Sequence, residues 1–332
     1  MDFRALFLLA LFCGCSMVSQ GPLSRSEPAA LSAEEGYWQD MEDPRYLLGL
    51  EGSQLIVSYD GKVREIYGIL GKQGLETTRI CYSGREAKAV LRQEGDELIF
   101  DDPLRNQAHR LRKVKRPPSG LSLKSSPLPA PSALAEEKVR EVLRELWERS
   151  RRDQASLGDQ RRQVPARDGL PWLDISSVAP GPLDSLAELQ FADVAMKNSE
   201  YLRALLMEVG WIDVQRFGYD ASNSAFLLVQ HSWDVPMMMA ALPYLKKDVD
   251  RGLMGPDTFA LLYDRLQLAL GLRQRYGSQV ATTPQGETVV LPVEGDPSEI
   301  DRLRRQLGLI PLADYVRVFG APAVRFSTDC QP

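Results

Sequence analysis

The first third of the chain alternates apolar and polar residues in short runs bounded by turn formers. Leu55–Tyr59 leads into Asp60-Gly61 and then Lys62–Tyr67, an arrangement that predicts a hairpin. Thr77–Tyr82, Ala87–Arg92, Glu97–Phe100 and Ala108–Val114 repeat the pattern. Five or six strands at this spacing predict a small antiparallel sheet or barrel over residues 36–116. So short a segment is ill suited to enclosing a ligand. A closed β-domain with a filled core, acting as spacer or docking module, is therefore the first expectation, and a barrel for a small apolar ligand the alternative.

Residues 117–134 carry Pro117, Pro118, Pro127, Pro129 and Pro131, which predicts an extended linker. The period then changes. Val139, Val142, Leu143, Leu146 and Trp147 share one helical face. An irregular, proline-containing stretch is expected over 156–187. Further helices are expected over Asp193–Val209, stopped by Gly210, and over Ser222–Ser232. Another runs from an Asp234 cap with Pro236 to Asp250, and another from Pro256 to Leu270. A helix after Asp296-Pro297-Ser298 ends at Leu307 before Gly308, and Leu312–Phe319 is the last. The fold class is thus α+β in two domains, a small β-domain (36–116) and a mainly α-helical domain (135–332). The length of 332 residues agrees with two domains at about 150 residues each.

The N-terminus adds an address. Arg4 precedes the apolar run Ala5–Phe12, far shorter than the roughly 20 residues of a membrane-spanning helix. Phe12-Cys13-Gly14-Cys15 then resembles the cleavage motif of bacterial lipoproteins. That resemblance implies a signal peptide at 1–14, lipidation of Cys15 with diacylglyceryl and acyl chains such as palmitate, and a tether at 15–35. Ser16 as the second mature residue implies outer-membrane sorting, with the protein facing the periplasm. Several acyl chains anchor firmly where one does not. An oxidising compartment would let Cys81 and Cys330 pair, or they stand as separate thiols. Gly36-x-Trp38 and the strand meander resemble lipocalin-like small barrels of envelope lipoproteins.

Charge and composition narrow the chemistry. Forty basic against 45 acidic residues give a net charge of −5, with no global case for nucleic-acid binding. A basic stretch from Arg105 to Arg116 reads as a strand with charged outer positions, with His109 facing solvent. Two histidines and four cysteines leave a metal site poorly supported, and no cofactor motif is present. No Gly-x-Ser-x-Gly, Walker loop or Cys–His arrangement marks a nucleophile.

Three polar clusters stand out in the helical half: Gln230-His231, Asp264-Arg265 inside an apolar helix, and Gln274-Arg275-Tyr276-Gly277-Ser278-Gln279 after it. A charge in such a helix requires a partner, and Asp264 and Arg265 point about 100° apart, so each needs its own. Together with Gly210-Trp211 and Leu307-Gly308-Leu309-x-Pro311-Leu312-x-x-Tyr315, these motifs resemble an uncharacterised bacterial helical domain family of unknown function over about residues 185–318, with Ser278 where that family has Thr. The resemblance implies a polar constellation of His231, Asp264, Arg265, Gln274, Tyr276 and Gln279. Three uses are open. It can be a hydrogen-bond network in which Asp264 bridges backbone groups of the 276–279 loop and His231 donates into it. It can bind a small molecule or an envelope protein. It can serve a hydrolase-like enzyme, with His231 and Asp264 as an acid/base pair and Arg265 holding an anion. A binding or interaction module on a lipid anchor is the leading expectation.

Overall fold

The computed structural model describes residues 35–59, 62–73, 77–82, 84–102, 107–115, 127–130, 134–163, 186–232, 234–283, 286–328 and 330. The expected leader, Cys15, nearly all of the tether and most of the Pro-rich linker lie outside the described residues.

The β-domain is a closed antiparallel barrel of eight strands. They are β1 (Gly36–Asp40), β2 (Tyr46–Glu51), β3 (Gln54–Tyr59), β4 (Lys62–Gln73), β5 (Thr77–Tyr82), β6 (Arg85–Glu94), β7 (Glu97–Asp102) and β8 (Gln107–Val114). Pairing of β1 with β8 closes the barrel, with Trp38 opposite Lys113 and Asp40 opposite Leu111. The strand-like runs between turn residues predict β3 to β8 but miss β1 and β2. The reason for β2 is burial on both faces. Leu48 and Leu50 point into the barrel, whereas Leu47 packs against the helices, so no polar position interrupts Tyr46–Leu50. Inside, Trp38, Leu48, Leu55, Tyr67, Phe100 and Leu111 fill the space between strands.

His109 departs from expectation. Ala108 and Arg110 are exposed on β8, while His109 and Leu111 turn inward. The His109 ring stacks on Tyr46 with centroids 3.7 Å apart, and its Nδ1 lies 2.7 Å from Asp40 Oδ2.

The rest is mainly helical: α1 (Glu136–Gln163), α2 (Leu186–Val209), α3 (Val214–Phe217), α4 (Tyr219–His231), α5 (Val235–Asp250), α6 (Pro256–Ala269), α7 (Ile300–Leu307) and α8 (Leu312–Arg317). Asp234 caps α5 by accepting from Met237 N at 3.1 Å. Gly308 ends α7 at φ 84°, a conformation that favours glycine. Two corrections apply. Residues 156–163, expected to be irregular, belong to helix α1, and α2 begins at Leu186; residues 164–185 of that expectation lie outside the described residues. A short hairpin of β9 (Val280–Thr282) and β10 (Thr288–Val290) interrupts the helices. No helix among the described residues is long and apolar enough to cross a membrane.

The outer face of β2–β4 carries Leu47, Ile56 and Ile66 into the same apolar cluster as the helices. Gln54 Nε2 donates to Leu270 O at 2.5 Å. Beside it the backbones of Gly68 and Gly271 touch. A Cβ on Gly271, at φ +69°, would stand 2.0 Å from Gly68 N, so neither position has room for a side chain. Cys81, on β5, and Cys330 form a disulfide with a Cα–Cα distance of 5.3 Å, tying the C-terminal tail to the barrel.

Candidate functional site

Helix α6 is apolar around Asp264, which is fully buried. The chain after α6 folds back so that backbone N–H groups meet this carboxylate. Arg275 N donates to Oδ1 at 2.8 Å, Tyr276 N to Oδ1 at 3.0 Å, and Ser278 N to Oδ2 at 2.9 Å. Gly277, at φ +66°, makes the turn, and a Cβ there would come 3.1 Å from Leu312 Cδ1. Burial pushes the Asp264 pKa up, and the backbone donors pull it partly back.

Gln274 braces the same loop. Its Oε1 accepts from Gln279 N at 2.8 Å, and its Nε2 donates to Gln279 O and Leu291 O at 2.9 and 2.8 Å. Arg304 Nη1 donates to Tyr276 O at 2.7 Å, and Tyr315 Oη donates to Ser278 O at 2.7 Å. The Tyr276 ring meets Phe259 and Tyr263 edge-on. Asp264, Gln274 and Tyr276 thus form a latch that fixes the 274–279 loop.

Arg265 turns the other way. Its Nε and Nη2 donate to Gln279 Oε1 at 3.2 and 3.0 Å, and its Nη1 donates to Gln230 O at 3.2 Å. Burial brings its pKa down to about 10, against the pull of Tyr315 and Asp153. His231, buried at the end of α4, places Nδ1 2.5 Å from Asp153 Oδ2. The expected pairing of His231 with Asp264 is therefore corrected. Asp264 is held by backbone donors, and the carboxylate on His231 comes from α1.

Asp153 is fully buried, and its Oδ1 has no hydrogen-bond partner among the described residues. The same holds for Gln230 Oε1 and Asn198 Nδ2. Asn198 Oδ1 accepts from Arg149 Nη1 at 3.4 Å, and the Arg149 guanidinium lies over the Tyr201 ring at 3.9 Å. The six residues expected to act together thus fall into two groups. Asp264, Gln274 and Tyr276 belong to the latch. His231 pairs with Asp153, Arg265 donates to Gln230 O, and Gln279 joins Arg265 to the latched loop.

Asp153 and Asn198 were not among the expected site residues, though both had a signal. Asp153 follows Leu146 by seven residues and Ser150 by three, on the buried stripe of α1. Asn198 sits between Ala195 and Leu202 on the buried stripe of α2. Among the described residues, no group of three or more His, Cys, Asp or Glu side chains is placed to hold a metal ion.

Residues 180–323 match the model of a family of unknown function, DUF6624. The match covers α2 to α8, with His231, Arg265 and Gln279, and leaves out the barrel and Asp153 on α1. No curated protein and no solved structure matches the chain.

Proposed function

We propose that this is a lipid-anchored protein of the bacterial cell envelope, held through Cys15 at the outer membrane and facing the periplasm. Its barrel is the base, and its helical domain is a binding module for a small polar ligand. The observation that carries the binding reading is the buried Asp153 carboxylate, of which one oxygen lies on His231 and the other lacks a hydrogen-bond partner among the described residues. Unsatisfied buried charge is costly, and a ligand supplying the missing donor offsets that cost. The anchor rests on the sequence around Cys15, and the Cys81–Cys330 bond suits an oxidising compartment. Side chains fill the barrel interior, which leaves a ligand cup there without support.

A hydrolase-like reading keeps one observation in its favour, the orientation of His231 by a carboxylate at Nδ1. Asp153 takes the place of Asp264 in it. Native mass spectrometry of the full-length protein, purified from its own membranes in mild detergent, tests the proposal. The expected result is a lipid-modified N-terminus that is lost in Cys15→Ala, and a small bound molecule that is lost in His231→Ala. Identical ligand-free masses for wild type and His231→Ala would defeat the binding reading.

A further inference from the structure

We infer that the outer face of α1 pairs, in parallel, with α1 of a second copy of the chain. The periodicity that sets Trp147 on the apolar stripe leaves it at the stripe's edge, and its ring is 57% exposed. Beside it, Glu-x-x-Arg occurs three times along the outer face, as Glu137–Arg140, Glu141–Arg144 and Glu148–Arg151. All six are exposed except Glu148, which is partly so. The glutamates follow one another at steps of four and seven residues, and so do the arginines. Each set forms a ridge along the helix, and the offset of three residues holds the two ridges about 60° apart.

The helix does not spend these charges on each other. Arg140 reaches back to Glu136 at 2.9 Å, and Arg151 lies over the Trp147 ring at 5.2 Å. Neither Arg144 nor Arg151 meets a carboxylate among the described residues. The remaining charges of the helix point elsewhere or balance one another. Lys138 meets Glu208 of α2 at 3.1 Å, Arg149 meets Glu145 at 3.4 Å and lies over Tyr201 of α2, and Asp153 is buried on His231. Arg152 lies 3.8 Å from Glu148. Three negative and three positive ridge charges leave a uniformly charged membrane or polymer no net field to bind. They do fit the same face of another copy. With a two-fold axis along the helices, the acidic ridge of each copy meets the basic ridge of the other. Glu141 then stands beside Arg140 and Arg144 of the second copy, and Glu148 beside its Arg144 and Arg151. Antiparallel helices would instead set acidic on acidic and basic on basic, which is repulsive. An axis along α1 also keeps both tethers at one end, as two chains anchored through Cys15 in one membrane require. So narrow a face, with one large apolar side chain, makes a weak and salt-sensitive dimer.

Sedimentation equilibrium of the full-length protein in mild detergent tests this with two charge variants. Arg140→Glu, Arg144→Glu and Arg151→Glu together make both ridges acidic; Glu137→Arg, Glu141→Arg and Glu148→Arg make both basic. Wild type should dimerise reversibly and loosen several-fold between about 0.05 and 0.5 M salt. Each variant alone should dimerise at least about tenfold more weakly, and an equimolar mixture should restore the dimer. If a triple variant loses helical circular dichroism, Arg144→Glu and Glu141→Arg, mixed in the same way, carry the test. Positions 137 and 144 both lie near the seam of a parallel pair, so Glu137→Cys and Arg144→Cys should each cross-link on mild oxidation. Cross-linking at one position or neither would overturn the parallel arrangement. A wild type that stays monomeric at every concentration, its face left to solvent or to a different protein, would overturn the pairing. So would a dimer that persists in both charge variants, as association through acyl chains or micelles would.

Discussion

In the barrel, His109 Nδ1 lies 2.7 Å from Asp40; in the helical region, His231 Nδ1 lies 2.5 Å from Asp153. Both pairs are buried, and both join elements far apart in sequence. They differ in what the second carboxylate oxygen does. Asp40 Oδ1 accepts from Glu42 N at 2.7 Å and Asp43 N at 2.9 Å, organising the turn between β1 and β2, while Tyr46 stacks on the histidine ring. Asp153 Oδ1 has no hydrogen-bond partner among the described residues. His109 Nε2 also lacks a hydrogen-bond partner among the described residues. The same pair of side chains is a strut where the carboxylate is saturated, and where it is not it is the ligand site we propose.

Asp264 extends the comparison to its saturated limit and gives the largest expected effect. Asp264→Ala strands three backbone N–H groups beside a buried position and should lower stability by about 3–5 kcal/mol, read by chemical denaturation. A loss under about 1 kcal/mol would show that the latch does not depend on saturation. Its pH dependence has a definite sign. Burial raises the folded-state pKa above 3.8, so the stabilisation tied to its protonation is full below that value and declines as pH rises through the folded pKa. Melting temperatures measured at successive pH values above about 4 should carry this slope in wild type, and Asp264→Asn should flatten it.

The disulfide spans the boundary between the compared regions. Cys330→Ser should cost about 2–4 kcal/mol while leaving both histidine environments unchanged by NMR. Movement of the His231 signals would mean that the bridge, and not α1 and α4, sets the His231–Asp153 pair.

Much of this was legible in the sequence, for reasons that particular residues make plain. Strand β8 announces itself because Arg110 and Arg112 face water between inward residues, β3 and β4 because Asp60-Gly61 separates them, and the caps at Asp234 and Gly308 fix helix ends by local chemistry. Strand β2 does not, because the helices cover its outer face. His109 was hidden by its neighbours. Arg110 and Arg112 make the stretch read as basic and exposed, although the alternation that turns Leu111 inward does the same to His109. The polar motifs of α4, α6 and the following loop were visible as types, but their partners were not. Which carboxylate meets His231 is decided by how α1 crosses α4, and periodicity carries no such information. Asp153 is the clearest loss, since a polar residue on an apolar stripe looks like a lapse in the stripe until the helix opposite is known.

The sharpest test is also the smallest effect, and it compares like with like. Asparagine keeps one acceptor oxygen and replaces the other with a donor. At position 40 both oxygens accept, so the new NH₂ must face a donor, either His109 or the turn amides, and Asp40→Asn should cost about 1–3 kcal/mol. At position 153 the remaining oxygen can stay on His231 Nδ1 while the NH₂ takes the place of Oδ1, where no donor opposes it. Removing a desolvated charge offsets part of what is lost. Asp153→Asn should therefore cost less than about 1 kcal/mol in unligated protein, even as it weakens the ligand. Equal losses at the two positions, measured in the same denaturant series, would erase the distinction between strut and site. A near-neutral Asp153→Asn beside a destabilising Asp40→Asn would leave ligand contact as the role that the buried carboxylate of α1 serves.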